Sequence, residues 1–165
     1  MADTDIKETA LRYLEHRMRT AHEMERRLRD KGFSDDETAE TIEWLISKKY
    51  IDDVNYGCEY IRYAIGKGRG INRIKHELKE KGVSSDDIQE AIFAYEDENE
   101  IDIAAAEYER ALEQALKAAR SNGTDEKGLA KTGRRLSSLG YSNSVIFKVL
   151  ADLRSKNEDE IKDKE

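Results

Sequence analysis

Apolar residues recur along this chain at the three- and four-residue spacing of helices that pack on one side. Ile6, Ala10, Tyr13, Leu14 and Met18 trace one such face. Tyr56, Tyr60, Ile61, Ala64 and Ile65 trace a second, and Ala105, Tyr108, Leu112, Ala115, Leu116 and Ala119 a third. Ile42, Leu45 and Ile46 mark a further, shorter helix. With no proline and an abundance of Glu, Lys, Arg, Ala and Leu, the chain favours helix throughout.

The pattern repeats itself. A shift of 50 positions lays Leu11 on Ile61, Tyr13 on Tyr63, Leu28 on Leu78, Gly32 on Gly82, Ser34 on Ser84 and Ile51-Asp52 on Ile101-Asp102. A third copy carries Leu136, Gly140, Tyr141, Ser142, Ile146 and Leu150 in the same order. Its glycine lies 58 positions after the second, so eight residues are added, in a longer first helix or in the loop around Ser121-Asn122-Gly123-Thr124. The expected organisation is residues 1–50, 51–100 and 101–156 as three repeats, then a charged tail over 157–165. Met1–Thr4 and the stretch after Lys156 are expected to fray. The fold class is all-α, three tandem three-helix repeats. Each buries too little to stand alone, so an elongated, curved, solenoid-like arrangement is expected.

Each repeat has a joint whose chemistry is legible. Leu28-Arg29-Asp30-Lys31-Gly32-Phe33 reads as a helix end with Gly32 in the left-handed position, Leu28 and Phe33 closing a Schellman motif. Ser34 then caps the next helix, with Glu37 completing a capping box. Val83-Ser84 with Asp87 and Ile88, and Tyr141-Ser142 with Ile146, repeat the arrangement; Val145 offers no reciprocal cap.

Composition narrows the chemistry. Charged residues make up 39% and the hydrophobic set 38%, so no large core is available. No apolar run approaches a membrane span and no signal peptide opens the chain, which points to the cytoplasm. Cys58 is alone, so it forms no internal disulfide and reads as a structural thiol. His16, His22 and His76 lack metal-ligand spacing. Asp35-Asp36 and Asp52-Asp53 open helices, where the helix dipole favours acids. Gly66-Lys67-Gly68-Arg69-Gly70 lacks both a preceding strand and the Gly-Lys-Ser/Thr ending of a phosphate loop. The chain is expected to have no catalytic site, no cofactor and no metal.

Charge placement remains. Ten acids and no bases occupy Asp86 to Glu109, within a net charge of −7. Arg62 to Lys81 holds seven bases against Glu77 and Glu80. The middle helices of the outer copies are also basic, through Arg26, Arg27, Arg29 and Lys31 and through Lys127, Lys131, Arg134 and Arg135. Solvated faces account for most such runs. The central copy has the largest excess, and its glycine-rich turn would let a partner approach closely. The candidate partner-binding residues are Arg62, Lys67, Arg69, Arg73, Lys75, Arg134 and Arg135.

The chain resembles the RecX regulators of the bacterial recombinase RecA. The likeness runs through Tyr50-Ile51-Asp52-Asp53, Tyr56, Tyr60-Ile61, Lys67-Gly68-Arg69-Gly70, Ile74, Glu77-Leu78 and Lys81-Gly82-Val83. It continues in Arg135-Leu136, Gly140-Tyr141-Ser142 and Ile146, and covers roughly Leu11 to Leu153. Lys49 stands where the family usually has glycine, Tyr56-Gly57 replaces the common Phe-Ala, and Leu139 replaces a basic residue. The resemblance implies a crescent that lodges in the groove of a RecA–single-stranded-DNA filament and lowers recombinase ATPase, strand-exchange and coprotease activity. It would act as a monomer, touching nucleic acid mainly within that complex and playing a part in DNA repair and the SOS response. Two rivals stand beside it: a helix-turn-helix-like DNA-binding protein and a helical-repeat scaffold for another protein. Against the first, the third helices open with Asp35, Asp36 and Glu37 and with Asp86 and Asp87, which phosphates repel.

Overall fold

The structure, a computed structural model, describes residues 5–162, with side chains described as far as Lys156. The expectation for Met1–Thr4 therefore lies outside the described residues, as does that for 163–165. Among the described residues there are nine α-helices and no strand. They are α1 (Ile6–His16), α2 (Ala21–Asp30), α3 (Asp35–Ser47), α4 (Asp53–Gly66), α5 (Ile71–Glu80), α6 (Ser85–Asn99), α7 (Glu107–Asn122), α8 (Glu126–Leu139) and α9 (Asn143–Lys162). The order is that of three tandem three-helix repeats. α9 corrects one expectation: the backbone stays helical to Lys162 instead of fraying after Lys156. No glycine or proline interrupts it, and Lys and Glu favour the helix.

The joints form as their sequences dictate. Gly32, Gly82 and Gly140 take φ of +94°, +81° and +89°. The amides of Phe33, Val83 and Tyr141 donate to the carbonyls of Leu28, Leu78 and Leu136 at 3.4, 3.1 and 3.2 Å. The glycine amides donate to Arg29, Lys79 and Ser137 at 2.8, 2.9 and 3.0 Å. Each pair closes a Schellman motif. Ser34 and Glu37 cap α3 reciprocally. Ser84 and Ser142 accept from the amides of Asp87 and Val145. α4 ends in the same way at Gly68 (φ +74°), where the Arg69 amide donates to Ala64 at 3.0 Å. α3 ends so at Lys49, which holds φ +57° without being glycine.

The eight added residues of the third copy lie mainly beyond its first helix. α8 has 14 residues where α2 and α5 have 10, whereas α7 has 16 against 14 in α4.

The chain divides into two compact units. One runs to Ile61 and adds Glu77–Tyr95; the other joins Arg62–His76 to the stretch from Glu96 onward. The division passes through α4, α5 and α6, so the middle repeat contributes to both. In the first unit α1, α2 and α3 enclose Ala10, Met24, Leu28 and Leu45, with Ile51 completing the cluster. Met18 is not part of the α1 face: the helix stops at His16, an extended Arg17 leads to the Thr20 cap of α2, and Met18 is exposed. In the second unit α7, α8 and α9 enclose Ala111, Ala115, Leu129, Leu136, Tyr141, Ile146, Val149 and Leu153. The buried stripe of α7 is Glu107, Ala111, Ala115 and Ala118, and this corrects the expected face, because Ala105 and Leu116 are exposed. Small residues let the backbones approach closely, so alanine outcompetes the larger Leu116 for the contact side.

Candidate partner-binding surface

The surface is built on a joint between repeats that occurs once in each unit. In the first unit, the Ala21 amide opening α2 donates to Asp53 Oδ1 at the start of α4, 2.9 Å away. Thr20 Oγ1 donates to the Lys81 carbonyl at 2.7 Å. A Cβ on Gly82 would collide with His22. In the second unit, the Ile71 amide opening α5 donates to Glu107 Oε1 at the start of α7, 3.1 Å away. The Gly70 amide donates to the Leu139 carbonyl at 2.7 Å, and a Cβ on Gly140 would collide with Arg73. The 50-residue shift lays Thr20 on Gly70 and Ala21 on Ile71, so the same device is used twice. In each case a carboxylate of the following repeat satisfies an amide that a helix N-terminus leaves open.

Electrostatics follow from this placement. Burial pushes the Asp53 carboxyl above its ordinary range; the Ala21 amide opposes that, and Asp87, Asp52 and Glu23 add to it. Asp52 Oδ1, by contrast, accepts from the Asn55 amide at 2.9 Å and caps α4. Burial also raises the Tyr141 hydroxyl, which donates to the Gly68 carbonyl at 2.8 Å.

All seven candidate residues fall in the second unit. Arg62 is exposed and pairs with Glu98 at 2.9 Å. Lys67 is exposed, Arg69 half-buried, and their charged ends lie 5.7 and 5.6 Å from the Tyr63 ring centre. Arg73 donates to the Ser138 carbonyl at 3.1 Å, and Lys75 is half-buried. Arg134 and Arg135 are exposed on α8. The glycines of the central turn do different work from close approach to a partner. Gly68 lies against Gln114 and Gly70 against the backbone of Gly140 and Tyr141, so both serve the joint. Only at Gly66 would a side chain meet open space.

Sequence reasoning missed Glu107, Asp53 and Tyr141 as the residues that hold this surface in place. The repeat shift was the available signal, since it aligns the two open helix starts. Elsewhere, His16, His22 and His76 are exposed, and the half-buried Cys58 thiol donates to the Ala91 carbonyl at 3.4 Å. Among the described residues no group of three or more His, Cys, Asp or Glu is arranged to hold a metal ion. No described helix is long and apolar enough to cross a membrane.

Residues 7–45 match the first three-helix domain of RecX, and residues 52–92 match the second. The chain is 32% identical over 153 residues to the regulatory protein RecX of Leuconostoc mesenteroides, covering 92% of this chain and 55% of that protein. It therefore spans little more than half the length of that relative. The regulatory protein RecX of Vibrio vulnificus is 31% identical over 149 residues, covering 88% of this chain and 91% of its own. The crystal structure of RecX from Lactobacillus salivarius superposes with a TM-score of 0.77 at 27% identity, covering 93% of this chain and 98% of that one. Matching sequence, matching helix order and two matched three-helix domains give one answer: the chain belongs to the RecX family of regulatory proteins.

Proposed function

We propose that this chain binds the RecA–single-stranded-DNA filament and modulates the recombinase, mostly by inhibiting its ATPase, strand-exchange and coprotease activities. It acts as a monomer in the bacterial cytoplasm and carries out no chemistry of its own. Membership in the RecX family is the observation that carries this. The charge distribution supports it: Arg62, Lys67, Arg69, Arg73, Lys75, Arg134 and Arg135 sit together in one unit of a chain whose net charge is −7. A globally acidic protein gains little from long-range attraction to free nucleic acid, so a local basic surface selects a composite partner of protein and DNA.

The test is DNA-dependent ATP hydrolysis by RecA with this chain added over a range of stoichiometries. Wild type should inhibit, and inhibition should weaken as salt rises. Reversing Lys67 and Arg69 to glutamate should raise the concentration needed by at least about tenfold, roughly 1.4 kcal/mol of contact energy. These two side chains lie clear of the Gly70–Leu139 and Ile71–Glu107 bonds, so the variant should melt close to wild type. Arg73 is a poorer choice, since its guanidinium bonds the Ser138 carbonyl. No inhibition by the wild type at any stoichiometry would overturn the proposal.

A further inference from the structure

The longest helix face left without acid partners is on α8. Lys127, Lys131, Arg134 and Arg135 are spaced as i, i+4, i+7 and i+8, which places them along one side of the helix. All four are exposed, and the opposite side buries Leu129, Thr132 and Leu136. Elsewhere, Arg12, Arg17, Arg29, Arg62 and Lys117 each face a carboxylate. None of the four α8 bases does among the described residues, although acids outnumber bases 36 to 29 in the chain. α8 holds a single acid, Glu126.

The Arg135 end of this stripe opens into a cleft of about 350 Å³ lined by Lys117, Ala118, Ser121, Asn122 and Arg135. Its lining offers an ammonium, a guanidinium and an amide as donors and no carboxylate, although Glu113 holds Lys117 Nζ from one side at 2.5 Å. We infer that the basic side of α8, with this cleft at its end, seats the phosphodiester backbone of a single-stranded nucleic acid. The inference deepens the filament proposal, on which it rests, by assigning part of that surface to the DNA instead of the recombinase.

Two features favour a nucleic-acid strand over an acidic protein face. From Lys127 to Arg135 the stripe rises about 12 Å, roughly the axial run of three or four nucleotides at about 3.4 Å each. Evenly stepped charge suits a polymer with evenly stepped phosphates. A protein interface needs apolar or aromatic anchors at its centre. The exposed large hydrophobic residues of the chain are Met18, Ile46, Tyr50, Tyr63, Phe93, Ile101, Leu116 and Phe147, and none is on α8.

The experiment is fluorescence anisotropy of a labelled oligothymidylate with the full chain, at low and rising salt and without recombinase. Wild type should bind, and log affinity should fall with log salt at a slope of about −2 to −3, the release expected for three or four neutralised phosphates. Lys127→Glu, Lys131→Glu and Arg134→Glu combined should weaken binding at least about tenfold and flatten the slope, since each lost phosphate contact removes about one unit. The same three positions changed to glutamine remove charge without reversing it, and should also lose most of the slope with an unaltered melting curve. Wild type that fails to bind the oligomer at low salt, or a folded triple variant that binds as wild type does, would overturn the inference. ATPase inhibition measured on the same preparations separates the two claims. Inhibition without oligomer binding removes this inference alone, and oligomer binding without inhibition at any stoichiometry removes the filament proposal alone.

Discussion

At Lys49 the backbone takes φ +57°, while the Tyr50 amide donates to the Leu45 carbonyl at 2.9 Å to finish α3. A side chain in that region costs about 1–2 kcal/mol relative to glycine, because Cβ crowds the following carbonyl. Lys49→Gly should therefore raise stability, by up to about 1 kcal/mol after the added freedom of the unfolded chain is subtracted. Gly82 is the opposite case, with φ +81° and no room for a Cβ beside His22. Gly82→Val should cost more than about 2 kcal/mol, since backbone strain and collision act together. Urea melts of both variants decide the matter, and shifts of the same sign would count against these helix ends. Asp53 supplies a third test. Its folded pKa lies above the ordinary 3.8, so its protonated form is the better tolerated one. Its contribution to stability is fully present below the unfolded pKa and is lost as pH rises through the folded one. Asp53→Asn keeps an acceptor for the Ala21 amide and removes the charge. Relative to wild type, the variant should be most favoured at neutral pH, and its advantage should shrink as pH falls towards 3.8 and below. A difference that stays constant with pH would show that the buried charge carries no cost.

The helices differ in how much of them was legible. The three Schellman ends and their serine caps were readable because every partner lies within six residues and only glycine suits the left-handed position. The joints between repeats were not, because Thr20 meets Lys81 across 61 positions and Gly68 meets Tyr141 across 73. Periodicity says which residues share a side, but not which chain comes to lie there. The face of α7 was misread for a related reason. Leu112 and Leu116 carry the hydrophobic signal, while packing against α8 and α9 selects the alanines. The candidate bases were recognisable as a charged cluster, yet Arg73 also ties α5 to the Ser138 carbonyl. Tyr141→Phe probes this level directly. The ring keeps its packing, but the Gly68 carbonyl loses its partner, so the second unit should lose about 1 kcal/mol in a denaturant melt. An unchanged melt would mean that water replaces the phenol without cost.

Across the whole molecule, charge acts on stability and on binding in opposite senses. The acidic block from Asp86 to Glu109 repels itself, and salt screens that repulsion. The ion pairs that salt also weakens, such as Arg12–Glu8 and Arg62–Glu98, are exposed and contribute little. Raising ionic strength should therefore raise the melting temperature of the free chain by a few degrees while inhibition of the recombinase declines. Calorimetry and the ATPase assay across one salt series test both halves, and parallel trends would refute the separation. The bond from Tyr141 to Gly68 reaches further, into synthesis. When Gly68 leaves the ribosome its carbonyl has no partner until 73 more residues have followed. At about 5–20 residues per second that wait lasts roughly 4 to 15 s. The Ile71 amide waits for Glu107 in the same way, across 36 residues. For those seconds the middle repeat is a nascent segment whose turn must be solvated, so the time when it is most open to a chaperone or a protease is set by translation speed.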